Sequence, residues 1–444
     1  MRDAVAAIFT HDDEVFSIRR QIYLRAFPGY TAFPGGKVDA GDESYAIEHP
    51  LFEGFPAVEI GALVRELEEE LAFDLVEAVR LQQVRRISKF GTALTPPFQK
   101  VRFNAHFYKI ELSKKPSFIP DSGEIHSCEW KPAVALWQDY LLGESLMVRP
   151  NMHAIKALAL DISVTSTEPF SEVFPDDELP CIEFLNGLGF LPVPSNTLPP
   201  ATSTNALLLG DDGSLRILTD PSPASDEALQ CLKNTLSNQL PDAILLTHHH
   251  PDHHERATDL ALDLDVPIIC TRNTELRILE RFGSSYFDGI EVQYIKQDDV
   301  ITQWLGHPVI CHELPGHDDG MVGLAPESLA WFYVADLVEP GTTVVIPEPE
   351  GDMSEYFKTL KRVIRLNPDV VIPSHGLPMG GIHLLEKTLK HREVREQQIL
   401  DFYNAGLRED ALVNAMYPEL DQKLVPLAHQ NVRQHLKKLG LAEV

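Results

Sequence analysis

Cysteine is scarce in this chain: five residues in 444, Cys128, Cys181, Cys231, Cys270 and Cys311, with no C-x-x-C pair. An odd number of widely spaced thiols excludes a disulfide scaffold and a cysteine zinc knuckle, and fits reduced thiols in a cytoplasm. No window approaches the ~18 consecutive apolar residues of a membrane span. The start, MRDAVAAIFTHDDEVF, lacks the basic-then-apolar order of a signal peptide and is too acidic for a transit peptide, so a cytoplasmic location is expected. Basic charge is also short, with 38 Lys and Arg against 66 Asp and Glu and a formal charge of −28. Such a surface repels phosphate backbones and anionic lipids, which disfavours nucleic acid and membranes as partners. What remains is ordinary globular composition, 44% hydrophobic and 23% charged, in a chain long enough at ~150 residues per domain for about three compact units.

The pattern along the chain predicts a multi-domain α/β protein. Residues 1–165 mix short apolar strands, AVAAIF and RFNAHFYKIEL, with an acidic helical run, GALVRELEEELAF. Residues 166–204 are rich in Pro, Ser, Thr and Glu and read as a linker and entry segment. Strand and helix signals alternate over 205–385, as expected of a layered α/β domain. Residues 386–444 carry helical spacing, with Gly406 and Gly440 where C-caps belong, and predict a small helical domain.

The densest chemical signal follows the apolar strand Ala243-Ile244-Leu245-Leu246: Thr247-His248-His249-His250-Pro251-Asp252-His253-His254. In extended backbone alternate residues share a side, so His248 and His250 can face one ion, while Asp252 and His253 can serve a neighbour. Imidazole with carboxylate and no nearby cysteine suits an open hydrolytic zinc site over a closed structural one. His317 in LPGHDDG, Asp336 in FYVADLV and His375 in VIPSHG each follow or end a strand, where loops gather ligands. Alone, a histidine-rich stretch reads as a solvated turn; with these companions it does not.

This set, with Asp220 closing LRILTD and Asn205 opening the domain, resembles the metallo-β-lactamase fold family over residues ~180 to 385. The resemblance implies an αβ/βα four-layer sandwich with His248, His250 and His317 on one zinc. It puts Asp252, His253 and His375 on a second, with Asp336 bridging and Asp252 also counted among the catalytic residues. Two such ions would activate water against a carbonyl or phosphoryl group. Asp220 is expected to orient ligands, and His249 and His254 are left as polar filler. One departure from the family is Ala335, where relatives usually have glycine.

In GALVRELEEELAF the carboxylates of Glu66, Glu69 and Glu70 stand at i, i+3 and i+4 on one helical face, with Val64, Leu67 and Leu71 on the other. A hard divalent cation relieves their mutual repulsion; a solvated acidic face is the plain alternative. Upstream lies Phe33-Pro34-Gly35-Gly36-Lys37, leading into the acidic loop Asp39 to Glu43. Together these resemble the Nudix box of diphosphate hydrolases, over about residues 1 to 160. The departures are a spacer about 15 residues longer than usual, Asp42 in place of glutamate and Ala72 in place of the closing glycine. The resemblance implies a Nudix α/β/α sandwich holding Mg2+ or Mn2+, with Glu66, Glu70 and Glu124 as catalytic candidates. Arg25-x-x-x-Gly29-x-x-x-Phe33-Pro34-Gly35-Gly36 also resembles the signature of coenzyme A diphosphatases, which implies that Arg25, Gly35 and Gly36 contact the ligand.

The tail resembles the winged-helix-like domain of some metallo-β-lactamase relatives, including endoribonucleases. Arg433, Lys437 and Lys438 lie close along one helix, but a packing lid or a homodimer surface is favoured over a nucleic-acid reader. The expected protein is a bifunctional metal-dependent hydrolase. A dinuclear zinc site for a thioester, lactone or related ester is fused to a Nudix diphosphatase, with small-molecule substrates such as coenzyme A esters or nucleoside diphosphate derivatives. The alternative is an RNA-processing endoribonuclease with a nucleotide-sensing Nudix-like domain.

Overall fold

The computed structural model describes residues 1–96, 102–167, 170, 173–419 and 421–441. The chain forms two compact units, one of residues 1–174 with 183–186, the other of 175–182 with 187–444.

In the first unit, six strands form one mixed sheet. Strand Arg2–His11 lies parallel to Phe103–Leu112 and antiparallel to Glu14–Arg20. The period-2 rule is visible on Arg2–His11: Val5, Ala7 and Phe9 face one core with Ile60, Leu63, Leu67 and Leu71 of helix Ala57–Leu71. Ile8 faces a second core, with Leu136 of helix Ala133–Leu141 and Ile155 and Leu158 of Arg149–Leu160. Helices therefore cover both faces of the sheet. Helix Ala57–Leu71 ends on Ala72, which is left-handed at φ 48° where glycine is the usual residue.

In the second unit, one sheet runs in the order Val292–Tyr294, Ile268–Cys270, Ala243–Leu245, Ile217–Thr219, Ser203–Leu209, Leu188–Pro194. A second sheet orders Val300–Trp304, His307–Glu313, Val322–Pro326, Phe332–Ala335, Val370–Pro373 and Met379–Gly380. Helices Asp226–Leu236 and Ala257–Leu264 pack on the first sheet, and Met353–Leu366 packs on the second. Part of the stretch read as linker is strand: Leu188–Pro194 is almost wholly buried and pairs with Ser203–Leu209 from Leu188 to Pro194. Its apolar run, LGFLPVP, is framed by prolines and serines that hid it. The tail is helical among the described residues: His383–Asn404, Glu409–Met416 and Val425–Lys438 share a core of Ile399, Leu412, Val413, Met416 and Val432. No helix among the described residues is long and apolar enough to cross a membrane.

Candidate functional site

Strand Ala243–Leu245 ends in the second unit's interior, and the chain then turns through His248 and His250 into the short helix Pro251–His254. Further donors gather there from three places: the loop after His307–Glu313 brings His317, the end of Phe332–Ala335 brings Asp336, and the end of Val370–Pro373 brings His375. His248 Nε2 lies 3.0 Å from His250 Nδ1, which lies 2.9 Å from His317 Nε2. With Asp336 these donors fall within 4.8 Å of one another, as do those of Asp252, His253 and His375. Asp336 stands between the two sets. Its Oδ2 is 3.4 Å from His253 Nε2 and 3.7 Å from His317 Nε2, and its Oδ1 is 3.5 Å from His375 Nε2.

Each imagined ligand turns its other nitrogen to a fixed partner. His253 Nδ1 donates to Asp220 Oδ2 at 2.9 Å, His317 Nδ1 to the Val345 carbonyl at 2.7 Å, and His375 Nδ1 to the Ser203 carbonyl at 2.9 Å. His248 Nδ1 meets Thr247 Oγ1 at 3.0 Å, and His250 Nε2 lies 3.4 Å from Glu350 Oε1. Tying one nitrogen fixes tautomer and ring orientation, leaving the lone pair of the other aimed at the centre. Asp220 is itself fully buried, accepting from Thr247 N and Oγ1 and from Tyr333 Oη at 3.0 Å.

The electrostatics fit a cation. His253 Nε2 and Asp336 Oδ1 are buried without a hydrogen-bond partner, an arrangement that costs free energy unless something charged completes it. Burial opposes ionisation of Asp336, yet the charges of His253 and His375 hold it well below the usual carboxylate range. Burial likewise works against charge on His253 and His375, but Asp336 raises both, His375 to about 9. Burial, then the neighbouring imidazoles, lowers His248 well below its ordinary value, and His317 falls to about 4 through burial and His250. Imidazole and carboxylate donors with no cysteine among them suit a divalent ion of the zinc type.

Three residues that the sequence did not single out complete this neighbourhood. Asp318 is buried against His249 Nδ1, which gives His249 a partner beyond polar filler. Glu350 reaches His250 and, at 3.7 Å, His249. Tyr333 ties the second sheet to Asp220 and to the Asn205 carbonyl. Only Asp318, beside His317, carried a signal. Ala335 is left-handed at φ 48°, which accounts for the family's glycine there.

In the first unit the acidic helix is less open than its pattern implied. Glu70 is buried and accepts from Gly35 N at 2.8 Å. A Cβ on Gly36 would stand 2.3 Å from Glu66 Oε1, so the glycine turn lies directly on the carboxylates. Arg65 donates to Asp42 Oδ1 at 2.8 Å, Glu66 Oε1 at 2.9 Å and Glu69 Oε2 at 3.1 Å. Glu66, Glu69 and Glu70 are not among the groups whose donors lie within 4.8 Å. Burial pushes Glu70 up to about 8, with Glu66 and Glu124 adding to it, and burial also raises Glu66. Glu124 and Arg25 are exposed. In the tail, Arg433 pairs with Glu348, Lys437 with Asp352 and Lys438 with Glu396.

The Metallo-beta-lactamase superfamily profile matches residues 199–375, and that of the Beta-lactamase associated winged helix domain matches 409–440. The Beta-lactamase-like protein 2 homolog of Drosophila melanogaster is 31% identical over 258 residues, 53% of this chain and 82% of that protein. Hydroxyacylglutathione hydrolase of Bdellovibrio bacteriovorus is 26% identical over 171 residues, 37% of this chain and 60% of its own length. A solved NUDIX hydrolase from Alicyclobacillus acidocaldarius is similar at 22% identity and TM-score 0.33, over 38% of this chain and 98% of that one.

Proposed function

Because this chain belongs to the metallo-beta-lactamase superfamily, we propose that its second unit is a dinuclear zinc hydrolase that cleaves a thioester or related ester of a small molecule. The observation that carries this is the convergence of two donor sets on the shared carboxylate of Asp336. In this reading His248, His250 and His317 hold one ion, Asp252, His253 and His375 the other, and Asp336 serves both. Bound ions would supply Lewis acidity to the acyl carbonyl and bring the pKa of water towards neutrality. The chain's own residues do the rest. Asp220, Val345 and Ser203 hold the outer nitrogens of His253, His317 and His375, which turns the other nitrogen of each ring inward, and Asp252, at the same centre, is a catalytic candidate. The hydroxyacylglutathione hydrolase relative, of whose length this chain covers 60%, favours an acyl thioester.

For the first unit, a Nudix-type diphosphatase using Mg2+ or Mn2+ is supported by the Gly35–Glu70 hydrogen bond and by Gly36 lying on Glu66. Glu66, Glu69 and Glu70 would hold the ion, and Arg25 and Glu124 are candidates for ligand contact and proton acceptance on a coenzyme A or nucleoside diphosphate. The endoribonuclease alternative loses support because Arg433, Lys437 and Lys438 are ion-paired within the chain.

The test is a panel of acyl thioesters offered to zinc-loaded full-length protein, with thiol release as the readout. Coenzyme A with Mg2+ is assayed separately, with the split diphosphate as product. Thiol release that His317→Ala leaves intact overturns the zinc reading; diphosphate cleavage that Glu70→Gln leaves intact overturns the Nudix reading.

A further inference from the structure

We infer that the C-terminal helices position the metal centre by gripping the loop 344–353; the inference rests on reading that centre as a metal site. Three tail side chains close on the loop backbone. Arg392 donates to the Val344 carbonyl, Asn431 Oδ1 accepts from Ile346 N at 3.0 Å, and Gln434 accepts from Met353 N at 3.3 Å while donating to the Gly351 carbonyl at 3.0 Å. All three side chains belong to buried residues. Buried amides matched to buried backbone groups fix geometry, because the alternative is an unpaired polar group. The loop is also folded tightly on itself, since a Cβ on Gly351 would stand 2.4 Å from the Pro347 carbonyl.

The same loop touches the centre at two points. The Val345 carbonyl, between the gripped Val344 and Ile346, accepts from His317 Nδ1 at 2.7 Å. Glu350, next to the gripped Gly351, faces His250 Nε2 at 3.4 Å. Both histidines belong to the trio with His248. The other trio is held from elsewhere: His253 by Asp220, His375 by Ser203, and the Asp252 carbonyl by Thr204. Arg433 and Lys437 also reach the loop, at Glu348 and Asp352, but exposed ion pairs contribute little. Asn431 and Gln434 are thus positioning residues for one ion of the pair and not for the other.

The experiment is a zinc titration of the full chain in competition with a chromophoric chelator, comparing wild type with Asn431→Ala, Gln434→Ala and Asn431→Asp. Two ions are expected on the wild type. Either alanine variant weakens one of them about tenfold, the lower scale for losing an outer partner of a metal ligand, and leaves the second unchanged with a native circular dichroism spectrum. Asn431→Asp keeps the acceptor for Ile346 N and restores the affinity. Unchanged affinity at both sites in both alanine variants, with a normal wild type, overturns the grip alone. Loss of both ions together with the fold in both alanine variants makes the contacts merely structural and also overturns it. A wild type that binds no zinc overturns the metal reading itself and the grip with it. Gln434→Ala gives its own reading should Asn431→Ala not fold.

Discussion

The two units carry candidate cation sites made from opposite kinds of donor, and the structure holds them differently. In the second unit the donors of each set lie within 4.8 Å of one another, each imidazole tied at its far nitrogen and Asp336 offset by its histidine neighbours. In the first unit Glu66 and Glu69 share Arg65, and Glu70, buried against Gly35, is raised to about 8. In the second unit opposite charges on Asp336 and on its histidine neighbours offset one another. Like-charged carboxylates repel, so burial drives them towards protonation or an internal cation. The histidine centre therefore has its donors fixed by hydrogen bonds at their outer nitrogens, with His253 Nε2 and Asp336 Oδ1 left for an ion to complete, whereas the carboxylates of the first unit are satisfied internally by Arg65 and Gly35 N.

The largest effect that would break this contrast is at the bridging position. Asp336→Asn should lower zinc retention and thioester hydrolysis by more than the roughly 10- to 100-fold cost of losing an outer partner; elemental analysis of the purified variant that still finds two ions would sink the assignment. Next, Asp220→Asn disturbs the orientation of His253 together with the contacts to Thr247 and Tyr333 and should weaken zinc by about 10- to 100-fold, measured by chelator competition. Equal affinity would show that His253 is oriented by packing instead.

A third test sharpens the contrast through pH. The folded-state pKa of Glu70, about 8, lies above that of an unfolded glutamate. Its contribution to stability is thus complete below the unfolded value and is lost as pH rises through the folded one, at no more than about 1.4 kcal/mol per pH unit. Metal-free protein should lose thermal stability over that window, Mg2+ should restore it, and Glu70→Gln should flatten the curve. A Glu70→Gln melting profile that follows the wild type across the window would remove Glu70 as the cause. The smallest effect belongs to the tail: Arg433→Ala breaks an exposed pair with Glu348 and should shift stability by less than about 1 kcal/mol in a denaturant titration.

Much of this was legible in the primary structure. His248, His250, Asp252 and His253 sit within six positions after an apolar strand, so their convergence follows from local geometry. His317, Asp336 and His375 were legible as metal-type residues at strand ends, but their meeting at one centre was legible only by family resemblance, because nothing local brings three distant strand ends together. Glu66 and Glu70 showed their shared helical face, but not that Glu70 is buried under the glycine turn, which depends on where residues 33–37 cross the helix. The strand Leu188–Pro194 was masked by its prolines. Glu350 and Val345 gave no signal at all, lying in the segment VVIPEPEGD, whose composition reads as plain loop.

The amino-acid order by itself determined which donors exist and which lie side by side along the backbone, because helix and strand periodicities are short-range rules. Only the folded chain decided which imidazole nitrogen faces inward, which carboxylate is buried, and that Asn431 and Gln434 hold the loop beneath His317 and His250. Those outcomes depend on pairings between residues tens of positions apart, where burial and hydrogen-bond satisfaction are properties of the packed whole.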